Sequence, residues 1–293
     1  MKRFIATLVT AACLCIPQVG SAKAVSPAMI SGAHAYSRSS NEFAAAIVVD
    51  QRSGEVLYEY HADDARSAAS LTKLMGALVF IDHSPDWNKI VDIRAQDEVG
   101  GGRLRVASGA TLRVIDLLYS SITASANNAA VALARVTGIG QATFVKEMNA
   151  KAKALGLAHS SFVDSSGMDP KNITTARDMA ALATAAFNVD PIRKVATTGS
   201  YTFKVRNTGE MHKIKNTNDI LTSSAYDGYY VTGGKTGFLY ESMYNLAVRV
   251  RPSTDKASDR QLMVVVLGSP TREASFKTGT SLANWAWKAY KWE

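Results

Sequence analysis

Strand-like segments of this chain lie toward its two ends, and the long stretch between them repeats its apolar residues at helical spacing. That division limits the possible folds more than any other feature. Phe43 to Val49 is a β-like run, Asp50-Gln51-Arg52-Ser53-Gly54 is a turn, and Glu55 to Tyr60 alternates as a return strand, so the three form a hairpin. From Asp63 to about Val195 the pattern is mainly helical, with segments at Leu112 to Tyr119, Asn127 to Val136, Ala142 to Leu155 and Thr175 to Ala186. Strand signals return at Tyr201 to Val205 and Met211 to Lys215, joined by a turn at Asn207-Thr208-Gly209. Three more follow: one ending at Lys235, then Tyr244 to Val250 and Leu262 to Leu267. Neither end supplies a well-covered sheet alone, so the economical arrangement is a single sheet assembled from both. Hairpin connections make it antiparallel. The predicted class is α/β, in the α+β sense: an antiparallel sheet flanked by helices, with a helical subdomain over about 63–195 inserted. Ser281 to Trp292 places Leu282, Trp285, Ala289 and Trp292 on one helical stripe, which reads as core contact.

The first residues are Met1-Lys2-Arg3, an apolar run from Phe4 to Val19, and Gly20-Ser21-Ala22-Lys23-Ala24. A basic start, a short apolar segment and small residues form a secretory signal peptide over 1–24, cleaved after Ala24. Residues 25–42 then form a loose lead-in, and 43–293 the folded domain. Both cysteines, Cys13 and Cys15, fall in the signal, which leaves the mature chain without disulfide or thiol chemistry. Thr10-Ala11-Ala12 is a poor match to the run expected before an acylated cysteine. Loss of Lys2, Arg3 and Lys23 reduces the formal charge from +8 to +5. That modest surplus suits a polyanionic cell envelope as well as nucleic acid and does not choose between them.

Within the helical stretch, Ser70-Leu71-Thr72-Lys73 opens a segment of small and apolar residues that continues to Phe80 without proline. Residues three apart share a helix face, so the Lys73 amine lies over the Ser70 hydroxyl as a base over a nucleophile. Backbone N–H groups of a first helical turn lack internal partners and can bind an oxyanion. A second Ser-x-x-Lys, Ser253-Thr254-Asp255-Lys256, falls in a polar run that reads as a solvated loop. Ser125-Ala126-Asn127 lies between two helical patterns, where it is either a cleft loop or a helix cap. Lys235-Thr236-Gly237 follows Gly233-Gly234 and precedes a strand, while its copy Lys277-Thr278-Gly279 reads as a loop before the terminal stripe.

Serine-x-x-lysine, serine-x-asparagine and lysine-threonine-glycine in this order resemble the motif set of penicillin-recognising serine enzymes. Further stretches, among them Ala69 to Met75, Asp164-Ser165-Ser166-Gly167-Met168, Thr175-Ala176-Arg177-Asp178 and Asn216-Thr217-Asn218, look like the low-molecular-mass D-alanyl-D-alanine peptidases. The resemblance extends from about Phe43 to the C-terminus. It implies a β-lactamase/transpeptidase-like fold, peptidoglycan stem peptides as substrate, β-lactam antibiotics as covalent inhibitors, and no metal or organic cofactor. It implies Ser70 as nucleophile, Lys73 as base and Ser125 as proton relay to the leaving amine. Asn127 would hold the substrate amide and Lys73, Lys235 would supply positive potential, and Thr236 would bind the terminal carboxylate. Gly237 would let the substrate backbone approach, and Phe238 N–H would complete the oxyanion hole with Ser70 N–H.

Many relatives carry glycine at the position of Ala126, threonine at Leu239 and alanine-glycine at Ser242-Met243, so the bulk of Met243 leaves the packing behind the third motif open. Membrane-bound members continue into a β-rich domain and an amphipathic anchor. The end at Glu293 therefore predicts no stable membrane anchor; with the signal peptide the expected location is periplasmic or cell-envelope, and the resemblance implies no nucleic-acid partner. One class of β-lactamases deacylates with a glutamate between the second and third motifs. Here only Glu147 and Glu210 lie in that interval, one in a helical run and the other in a hairpin turn, so β-lactam hydrolysis should be slow. A non-catalytic peptidoglycan-binding protein is the remaining rival. The assignment is a D-alanyl-D-alanine carboxypeptidase, with an endopeptidase that cuts cross-links as the alternative. The glycine-rich rim Val99 to Arg105 and the run Met148 to Lys153 with Leu155-Gly156 look more like the endopeptidase branch.

Overall fold

The computed structural model describes residues 25–40, 42–254 and 260–292; the expected signal peptide and Lys256 lie outside them. Its centre is a five-stranded antiparallel sheet of β1 (Ala45–Asp50), β2 (Val56–Tyr60), β3 (Tyr229–Leu239), β4 (Met243–Pro252) and β5 (Leu262–Ser269). Their order is β3-β4-β5-β1-β2, which joins strands from both ends of the chain as the pattern predicts. The middle strands are apolar on both sides because both faces are covered. Ile47, Ala247, Met263 and Val265 face the helical subdomain, whereas Val48, Val248, Val264 and Val266 face the last helix with Phe276, Leu282 and Ala286. Pairing Val264 with Val48 and Val265 with Ile47 sets that register, and a slip of one residue would exchange the two faces.

Helices α1 (Thr72–Asp82), α2 (Val114–Ile122), α3 (Asn127–Val136), α4 (Gln141–Ala154), α5 (Ala176–Asn188) and α6 (Asp190–Ala196) lie in sequence between β2 and β3. The last helix, Arg272–Ala289, starts at Thr271, whose hydroxyl accepts from Ala274 N and supplies a cap. Phe187 of α5 reaches the sheet because β3 carries Gly233 there; a Cβ at that position would fall 2.4 Å from the ring.

Several details depart from the pattern reading. The hairpin of Ser200–Lys204 and Met211–Lys215 stays outside the main sheet, because its buried contacts are with the helical part: Tyr201 stacks on Tyr119 at 3.6 Å. Lys235-Thr236-Gly237 lies inside β3 rather than before a strand. Its copy at Lys277 is within the last helix, where Thr278 donates to Glu42 and Gly279 abuts Leu246. The segment read as a loose lead-in is tied down: Ala28–Met29 pairs with Tyr290–Lys291, and Tyr36 packs edge-on to Tyr58 and Trp285. Trp292 consequently lies beyond the helical stripe on which the sequence placed it.

Met243 does not crowd the third motif. It closes the β3–β4 turn at φ +55° with its side chain 38% exposed, and the buried Ser242 hydroxyl locks the turn by accepting from Leu239 N and donating to Met243 O. A bulky residue in the left-handed region costs about 1 kcal/mol, which glycine avoids. Met243→Gly is therefore expected to raise Tm by roughly 2–4 °C. Thermal denaturation checks this, and an unchanged or lower Tm would contradict it.

Candidate active site

Ser70 sits in a 3₁₀ turn, Ala69–Leu71, that leads directly into α1. Three separate parts of the chain fix that turn. Ala69 is itself left-handed at φ +48°, and Gly167 presses against it so closely that a Cβ on Gly167 would lie 2.0 Å from Ala69 O. Asn245 of β4 donates to Ser67 O at 3.0 Å and accepts from Gly268 N at 3.0 Å, which staples the turn to the sheet. Gly237 of β3 completes the enclosure, since a Cβ there would meet Ser70 N at 3.2 Å.

Lys73 Nζ is 2.9 Å from Ser70 Oγ and 2.6 Å from Asn127 Oδ1, and it also donates to Ser166 O. Removal from water disfavours the ammonium and pushes its pKa down to about 7, against the opposing pull of the Asp164 carboxylate. A neutral amine has two hydrogens and one lone pair. Asn127 and Ser166 take the hydrogens, so the lone pair is left for the Ser70 proton. Across the site, Lys235 Nζ donates to Ser125 Oγ at 2.7 Å and to Thr236 O at 2.8 Å. Its pKa is also far below the usual lysine range, first from burial and then from the charge of Lys73. Ser125 is left-handed at φ +58°, and Ala126 rather than Ser125 is the N-cap residue of α3, so the cap reading of the second motif does not hold. Ala126 is buried at 2% exposure.

Ser70, Ser125 and Asn127 line one cleft of about 580 Å³, together with Met168, Thr217, Thr236, Phe238 and Arg272. The structure thus gathers Ser70, Ser125, Asn127, Thr236, Gly237 and Phe238 at the cleft wall, with Lys73 and Lys235 buried immediately behind. Three further groups that the motifs do not assign support this site from within or beside the cleft. Asp164 accepts from the backbone N–H groups of Ser166, Gly167 and Asp169 and from Asn172, and so holds the loop that presents Ser166 O to Lys73. Thr217 Oγ1 is 2.6 Å from Thr236 Oγ1. Arg272 donates to Thr217 O and pairs with Asp219, both at 2.8 Å. Asp-x-x-Gly at 164–167 is a readable turn signal; the other two contacts span distant segments. Glu147 and Glu210 are engaged elsewhere, with His83 at 2.7 Å and His212 at 3.1 Å, and neither lines the cleft.

Residues 33–271 match the family model described as D-alanyl-D-alanine carboxypeptidase. The chain belongs to that family. As a member of this serine-type peptidase family it is an enzyme of the hydrolase class. It is 31% identical over 242 residues to a D-alanyl-D-alanine endopeptidase of Pseudomonas aeruginosa, an overlap covering 82% of this chain and 76% of the relative. A D-alanyl-D-alanine carboxypeptidase of Escherichia coli, DacC, is 32% identical over 84% of this chain and 61% of its own. Among solved structures, the Streptomyces K15 DD-transpeptidase superposes with a TM-score of 0.78 at 27% identity, covering 86% of this chain and 100% of its own. The fold expected from the motifs is therefore the one this family adopts.

Two buried lysines give the family's site a pH signature in this chain. Their folded pKa values lie below the unfolded value near 10.4, so between about pH 7 and 10 the unfolded chain binds more protons and stability rises with pH. Tm is expected to climb between about pH 7 and 9 at constant ionic strength, with a shallower slope in Lys73→Met. A flat or falling Tm in wild type across that window would show that both amines stay charged.

Proposed function

We propose that this chain hydrolyses the bond after D-alanine in peptidoglycan stem peptides through an acyl-enzyme on Ser70, as a D-alanyl-D-alanine carboxypeptidase in the broad sense. The observation that carries this reading is the placement of the buried Lys73 amine 2.9 Å from Ser70 Oγ, with its other contacts all acceptors. Ser70 Oγ attacks the carbonyl carbon and its proton passes to Lys73 Nζ. The oxyanion is held by the N–H groups of Ser70 and Phe238. The C–N bond then breaks as the Ser125 hydroxyl, which accepts from Lys235, gives its proton to the leaving amine and is reprotonated by the Lys73 ammonium, which returns to the neutral amine. Water then attacks the ester carbonyl as Lys73 takes its proton, and that proton passes to Ser70 Oγ when the acyl–oxygen bond breaks, which frees the acid product and restores the enzyme. Thr236 and the Arg272 guanidinium fit the terminal carboxylate of the substrate, and β-lactams would be trapped as slowly hydrolysed adducts.

The second reading is an endopeptidase acting on cross-links, supported by relatives of that name, among them the Pseudomonas protein at 31% identity. Both reactions pass through the same acyl-enzyme and differ in what leaves. Purified protein incubated separately with a pentapeptide monomer and a cross-linked dimer decides between them. Release of D-alanine with an untouched dimer establishes the carboxypeptidase, and monomers from the dimer beside an intact pentapeptide establish the endopeptidase; attack on neither overturns both. A signal peptide over 1–24 and an envelope location belong to this proposal. Among the described residues no helix is long and apolar enough to cross a membrane. Intact mass of the exported protein tests cleavage after Ala24.

A further inference from the structure

The turn that joins β3 to β4 borders the catalytic cleft, and the buried Ser242 hydroxyl holds it by accepting from Leu239 N and donating to Met243 O. It presents Tyr240, 87% exposed, and Glu241 to the catalytic cleft that both residues line. Tyr240 and Tyr244 flank Phe238, with ring centroids 5.5 and 4.4 Å from it, so the three form an aromatic ledge. Glu241 is exposed and, among the described residues, has no hydrogen-bond or ion-pair partner. Among the described residues it is the one carboxylate lining the cleft, whose other charged lining side chain is Arg272 and behind whose wall the Lys73 and Lys235 amines are buried.

The direction of a bound peptide follows from the register of β3. Thr236, joined to Thr217 and near Arg272, marks the end that takes a carboxylate, and Gly237 stands beside Ser70 where the carbonyl must lie. An extended peptide laid along the strand then carries its acyl part past Phe238 toward Tyr240 and Glu241, at about 3.3 Å per residue. We propose that this turn is a specificity subsite for acyl donors whose side chain ends in a free amine, with Glu241 pairing with the ammonium and the aromatic ledge packing on its methylene stem. A cation beside a carboxylate and an aromatic face is favoured by both, and a neutralised amine by neither.

This inference rests on the proposed acylation of Ser70. Its test therefore reads acylation directly, with a penicillin whose acyl side chain ends in a primary amine and with its N-acetylated counterpart. Adduct formation is followed by intact mass at neutral pH, and the readout is the ratio of the two second-order rates. Wild type is expected to favour the amine by roughly tenfold. Glu241→Gln should bring the ratio close to one, and Glu241→Lys should invert it. Because Glu241 is exposed and unpaired, neither substitution removes a folding contact. Equal rates in wild type, or a ratio that survives Glu241→Gln, would overturn the subsite while leaving the peptidase reading intact. Absence of adduct with either penicillin would overturn the Ser70 reading, and the subsite with it.

Discussion

Ser70→Ala is expected to abolish the stable penicillin adduct and to lower D,D-peptidase turnover by at least about a thousandfold. Among the described residues no other hydroxyl is bonded to the Lys73 amine, since Ser125 accepts from Lys235 instead. The fold should be undisturbed, since Ser70 Oγ is anchored through Lys73 alone among the described residues and the turn is fixed by Asn245, Gly167 and Gly237. In wild type the acylation rate should rise with pH as Lys73 loses its proton, with a midpoint near its pKa of about 7. Fluorescent-penicillin labelling and stopped-flow acylation across pH measure both effects. Equal labelling of wild type and variant, or a modified peptide containing Ser253 in place of Ser70, would refute the assignment.

Gly167→Ala should be nearly as damaging to activity, by way of the backbone. The residue is left-handed at φ +80°, and an added Cβ would lie 2.0 Å from Ala69 O and 2.5 Å from its carbonyl carbon. Both obstacles are main chain, so neither can rotate aside. Relief requires the 164–172 loop and the Ser70 turn to separate, at a cost of about 3 kcal/mol or more. Tm should fall by roughly 6–12 °C. Separation also withdraws Ser166 O from Lys73, so acylation should slow at temperatures where the variant remains folded. Gly228→Ala is the control, because nothing lies within 4 Å of a Cβ there. A Gly167→Ala protein with wild-type Tm and labelling rate would show that the loop yields without cost.

What the sequence conveyed best was anything governed by short-range periodicity. The run Met263 to Leu267 is apolar on both faces, Ile47 and Val48 alternate between two cores, and α3 occupies 127–136 as read, because each depends on neighbours within a turn or a strand. The motif residues were legible because three short patterns occur in order, and the first and third each have a decoy that context separates. The hairpin at Ser200–Lys215 carried a genuine strand signal, but nothing local says which sheet a strand joins; the Tyr119–Tyr201 stack decided that. Asn245 was invisible for a similar reason. Its partners at Ser67 and Gly268 are distant in sequence, and an asparagine inside an apolar strand announces no partner. Lys73 and Lys235 look like surface lysines by composition, and only the assembled cleft shows that both are buried.

The pairing of Ala28–Met29 with Tyr290–Lys291 determines where additional chain can be attached. Tyr290 donates to Leu57 O of β2, and Trp285 donates to His34 O, so both tails leave beside the outer edge strand. The cleft lies on β3, at the opposite margin of the sheet. A tether grafted before Val25 or after Trp292, whether an affinity tag, a lipid anchor or a surface for immobilisation, would hold the enzyme with its mouth turned away from the attachment point. Two tethers used together would emerge side by side, so a head-to-tail cyclised version needs only a short linker and leaves access to a bulky polymeric substrate unchanged.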